Sequence, residues 1–143
     1  MRADSKRQRF EEHQAGVLAL VARVDALLSA DPPDTRELAR LRWELTRALL
    51  AYQGFKHREL FDRAIATGAP DRARVARRLK ADCIAAGEGL RAYVTAWSGV
   101  SVADRWPECR RATEKLNADL RAHLAREKRD AEPLFAERLA RAA

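Results

Sequence analysis

Apolar residues recur along this chain at alternating steps of three and four, the spacing that draws one stripe down a helix. Phe10, His13, Val17, Leu20, Val24 and Leu27 form the first series and predict a helix over 5–30. Asp31-Pro32-Pro33-Asp34 breaks it. Asp34 followed by Glu37 has the spacing of a capping box. A second helix over 35–66 follows, striped by Leu38, Leu41, Leu45, Leu49, Tyr52, then Phe55 or Lys56, and Leu60. Thr67-Gly68-Ala69-Pro70 ends it, and Asp71 stands where it could cap a third helix over 72–98. That helix carries Val75, Leu79, Cys83, Ala86, Leu90, Tyr93 and Trp97 on one side. Ser98-Gly99 is a stop.

The fourth helix is predicted over 107–139, with Pro107 in its first turn. Its stripe is Cys109, Thr113, Leu116, Leu120, His123, Glu127 and Leu134. Pro133 should kink or end it, leaving Leu134 to Leu139 as a final turn. No segment alternates with period two, so no strand is expected. Four helices of about 25 residues with short connections imply one all-α domain over 1–143, an up-down-up-down antiparallel four-helix bundle.

The seams turn polar at one level. Counting residues from each connection places His13, Tyr52, Lys56, His123 and Glu127 at similar heights, with Asp82 and Cys83 nearest on the third helix. Carboxylates and histidines on facing helices are how bundle cores hold metals. His123 and Glu127 are spaced i,i+4, so both can reach one ion, and His13 could add a third ligand. Such a set would suit iron or zinc.

Three segments give the chain a family resemblance. Phe10-Glu11-Glu12-His13, Leu49 to Lys56 with Leu60-Phe61, and His123 to Glu127 with Pro133 after them resemble the ligand helices of bacterial hemerythrin-like (HHE cation-binding) domains. The resemblance runs from about residue 5 to 139 and implies that family's four-helix bundle and a diiron centre. The chain departs from the family's pattern at the ligands. Tyr52 stands where the second helix would carry His, and Lys56 where it would carry Glu. The chain has three histidines in all, and none lies in the third helix. These departures imply that the diiron centre has been lost, with Lys56 balancing Glu127 in place of a metal.

Composition changes this picture little. The 143 residues are 47% hydrophobic and 34% charged, which fits one folded domain. The abundance of alanine and arginine suggests a GC-rich bacterial genome. No apolar run nears the ~20 residues of a membrane span. The longest, Val17 to Leu28, is broken by Arg23 and Asp25. The basic start, Met1 to Arg9, lacks the apolar core of a secretory signal. A cytoplasmic protein with reduced thiols is therefore expected. Cys83 and Cys109 lack metal-ligand spacing, and Cys83, at the polar level, is a small buried residue, a soft ligand or a redox-sensitive thiol.

A net charge of +7 raises nucleic acid as a partner, and Arg72, Arg74, Arg77, Arg78 and Lys80 form one basic face. Elsewhere acidic and basic residues alternate, and the alternative reading of the basic face itself is a solvated helix surface. His57 and Glu59 are expected on the surface. Trp97 and Trp106 should cover one end, with Tyr93 and Phe135 at core or interface. An exposed Trp43 would point to a protein partner or a homodimer. No nucleophile constellation, phosphate loop, HExxH or CxxC occurs. Three readings follow. The first is a non-catalytic binding or regulatory bundle without a cofactor. The second is a metalloprotein with a mononuclear site at His13, His123 and Glu127 that senses oxygen or redox state. The third is a basic bundle that binds nucleic acid or an acidic partner.

Overall fold

The computed structural model describes residues 2–135, and the part of the expected final turn beyond Phe135 lies outside them. Every regular element among the described residues is helical. They are α1 (Arg2–Leu27), α2 (Thr35–Phe55), a π-helical segment (Lys56–Phe61), α3 (Asp62–Thr67), α4 (Pro70–Trp97), a 3-10 turn (Ala103–Arg105), α5 (Trp106–Asp130) and α6 (Glu132–Phe135). None of these helices is long and apolar enough to cross a membrane.

The connections follow local chemistry. The Asp34 carboxylate accepts a hydrogen bond from Glu37 N at 3.1 Å, satisfying one orphan amide of the first turn of α2. Pro70, not Asp71, opens α4, where its missing N–H costs nothing. Asp71 instead lies in the first turn, favourable for its charge. α5 ends at Asp130, and Pro133 falls in the separate turn α6.

α1 packs along α2, the π segment and α3 pack on α4, α4 packs along α5, and α5 and α6 close back onto α1. Two apolar clusters fill the space between them. One gathers Phe10, Tyr52, Phe55, Phe61, Leu124 and Phe135. The other gathers Leu38, Leu41, Tyr93, Trp97, Trp106 and Cys109, so both tryptophans beside the third connection are core residues. Cys83 and Cys109 fall in different clusters, and both are free.

The inner stripes differ from the expected ones by one residue in several places. On α1 and just past its end the buried residues are Phe10, Gln14, Val17, Val21, Val24 and Leu28. His13, Leu20 and Leu27 flank them, half-buried. On α5 Asn117 and Leu124 are buried where Leu116 and His123 were expected. On α4 Ala76 and Gly87 take the positions expected of Val75 and Ala86. The expected second helix is continuous from Thr35 to Thr67 but not uniformly α, because six residues wind as a π-helix.

Candidate functional site

The π segment begins at Lys56, where the sequence pattern was ambiguous. An α-helix turns about 100° per residue, so Phe55 and Lys56 would compete for one inward position. The wider π turn removes the competition. Asp62 N donates to His57 O, an i→i+5 bond, and Phe55, Lys56, Leu60 and Phe61 are all buried.

Lys56, 2% exposed, reaches Glu127 of α5, 1% exposed. Its ammonium donates to Oε1 at 3.0 Å and to Oε2 at 2.8 Å. The same Nζ lies 3.9 Å from the centroid of the Tyr52 ring, a cation–π contact in a water-poor setting. Tyr52 OH donates to Glu127 Oε1 at 2.6 Å. Gln14 Nε2 in turn donates to Tyr52 OH at 3.0 Å and to the Leu124 carbonyl at 3.0 Å. On the other side, His123 Nε2 stands 3.5 Å from Glu127 Oε2. Residues from α1, α2, the π segment and α5 thus form one buried polar network, in which the Lys56 and Glu127 charges are paired with each other. That matters because an unpaired buried charge costs several kcal/mol.

The electrostatics follow from these contacts. Burial alone would push the Glu127 carboxyl up, but donors from His123, Lys56 and Tyr52 outweigh it and hold the pKa near 2. Glu127 is therefore a carboxylate at neutral pH. Burial and the adjacent Glu127 charge push the Tyr52 phenol far up, so it stays protonated and acts as a donor. This works against a phenolate ligand at Tyr52. Burial raises both Cys83 and Cys109, which leaves them thiols.

His13 lies outside the network. Its ring stacks on Tyr52 with centroids 5.5 Å apart and tilts against Phe55 at 5.2 Å. Burial, then the Arg9 charge, lowers its pKa. His57, expected at the surface, is half-buried edge-on to Phe61, and burial lowers it too. Glu59, also expected at the surface, holds Arg9 through contacts of 2.9 and 2.5 Å. That Arg9 guanidinium covers Phe55 at 4.6 Å.

The structure therefore brings together Glu127, His123, Lys56 and Tyr52 of the expected polar level, and sets His13 behind Tyr52. Gln14 was missed. Among the described residues no three His, Cys, Asp or Glu side chains converge in a group that could hold a metal ion. The carboxylate best placed to ligate has both oxygens on an ammonium, and a second cation there would face Lys56. The residues present do not fit a diiron centre.

The basic face of α4 is largely occupied within the molecule. Arg74 pairs with Asp71 at 3.3 Å, Arg78 with Asp130 at 3.9 Å and Lys80 with Asp62 at 2.7 Å. Trp43 is 61% exposed, and Arg47 lies over its ring at 4.8 Å.

In comparisons with known proteins, no family model, no curated protein and no solved structure matches this chain.

Proposed function

We propose that the chain is a hemerythrin-like antiparallel four-helix bundle in which an ion pair has replaced the metal centre, and that it works as a non-catalytic binding or regulatory protein. The observation that carries this reading is the Lys56 ammonium seated on both oxygens of Glu127, where the resemblance would put a bridging carboxylate and its metal. An internal cation supplies the charge balance that a metal would give, and it cannot cycle between oxidation states. Binding then falls to the cavities and surfaces around the network.

The spacing of His123 and Glu127 keeps one rival reading in view, a mononuclear iron or zinc site. Elemental analysis separates the two, using untagged protein made in iron-supplemented medium. Metal far below one equivalent is expected. Near-stoichiometric iron or zinc, lost in His123→Ala, would overturn the reading. Lys56→His removes the cation and restores a donor, so it should raise metal content.

A further inference from the structure

A cavity of about 310 Å³ adjoins the buried network between α2, α4 and α5. Its long walls are apolar. Leu49 and Leu50 come from α2, Leu90 and Val94 from α4, and Leu120 and Leu124 from α5. One end is polar, lined by Lys56, Tyr52, Gln53, Cys83 and His123. Gln53 marks that end, with its Nε2 3.5 Å from the Cys83 carbonyl. A Cβ on Gly87 would lie 2.7 Å from that nitrogen, so the glycine gives Gln53 its place. Thr46, Val94 and Thr95 lie at the far end, and exposed Leu50 and Arg91 border the solvent side.

The dimensions select a shape. Thr46 and Lys56 both line the cavity, and ten residues of helix rise about 15 Å. With C–C bonds of about 1.5 Å, a zigzag chain of roughly ten carbons fills most of that length. The volume lies at the small end of the ~300–1,000 Å³ range of ligand sites.

The polar end selects a head group. Glu127 already takes two donor contacts from Lys56, so a carboxylate entering here would meet no unmatched cation. A second ammonium would face Lys56. Buried ions without partners are strongly disfavoured, whereas a neutral hydroxyl can both give and take hydrogen bonds there. We propose that this cavity binds a neutral, single-chain aliphatic molecule of about ten carbons whose hydroxyl or carbonyl head meets Lys56, Gln53 and His123. The proposal deepens the reading of the chain as a binding protein.

The test is calorimetric titration of the untagged full chain at pH 7 with 1-decanol, shorter 1-alkanols and decanoate. Saturable one-to-one binding of 1-decanol is expected, weakening about fourfold for each methylene removed. Decanoate should bind at least tenfold more weakly. Leu90→Trp fills the slot and should abolish binding with helical circular dichroism unchanged. If that variant fails to fold, the alcohol series on the unaltered protein still decides. Absent decanol binding, affinity independent of chain length, or decanoate binding as tightly as decanol would each overturn the proposal. Equal decanoate binding would instead place a carboxylate head at Arg91. Metal content is measured separately. Stoichiometric metal in a decanol-binding protein overturns the ion-pair reading alone, and a metal-free protein that ignores decanol overturns this one alone.

Discussion

Lys56 Nζ lies 2.8 Å from Glu127 Oε2 and 3.0 Å from Oε1, joining residues 71 positions apart that are both buried. Such a pair is a weak source of net stability, because desolvation consumes most of the Coulombic gain. Its consequence lies in what happens when one partner is removed. Lys56→Met leaves a carboxylate buried with only Tyr52 and His123 as donors. Urea denaturation should show a loss of about 3–5 kcal/mol. Adding Glu127→Leu removes the stranded charge, and the double variant should regain at least half of that loss. A double variant as unstable as the sum of its single changes would show that the two residues do not act as a pair.

The helical character and most of the apolar stripes were legible in the residues, because period and turn chemistry are local. On α2 the stripe Leu38, Leu41, Leu45, Tyr52 is buried as expected. What was not legible came from two causes. Phe10, Gln14, Val17, Val21, Val24 and Leu28 also make a perfect series of fours and threes, as good as the one through His13. Only contact decides between them. Gln14 wins because its amide finds Tyr52 OH and the Leu124 carbonyl, two acceptors supplied by other helices. The second cause is the π segment. A pattern argument assumes 3.6 residues per turn, so it must choose between Phe55 and Lys56. The wider turn buries both. The polar level was therefore found, but its membership was wrong by one residue on α1.

The depressed Glu127 pKa makes a stability prediction with a definite sign. An acid whose folded pKa lies below its unfolded value stabilises the fold when ionised in both states. That contribution is complete above the unfolded value of about 4.5 and disappears as pH falls towards 2. Its full size is on the order of 3 kcal/mol. Glu127→Gln resembles the protonated acid, so the variant should be less stable than the parent at pH 6. The gap should close as pH falls from about 4.5 to 2. His13 and His57, both lowered chiefly by burial, lose their stabilising effect as pH drops below about 6.5, but they do so in both proteins and largely cancel in the difference. A gap that stays constant down to pH 2 would mean that Glu127 is not ionised in the fold.

Three glycines inside helices make a graded series. Gly16 in α1 and Gly89 in α4 have nothing within 4 Å of an added Cβ. Neither has the positive φ that would strain a side chain; among the described residues only Gly99 has one, at 71°. Gly16→Ala and Gly89→Ala should each stabilise the protein by about 0.5–1 kcal/mol, through helix propensity and a less disordered unfolded chain. The sites lie on different helices, so the two gains should add. Gly87→Ala has the same propensity advantage but sets a methyl 2.7 Å from Gln53 Nε2. Gln53 is flexible and half-buried, so it can swing away, at the cost of its contact with the Cys83 carbonyl. The gain at Gly87 should therefore fall below that at Gly89, two residues on in the same helix. Thermal unfolding of the three single variants tests the ranking, and a Gly87→Ala gain equal to that of Gly89→Ala would show that Gln53 does not rest against the α4 backbone.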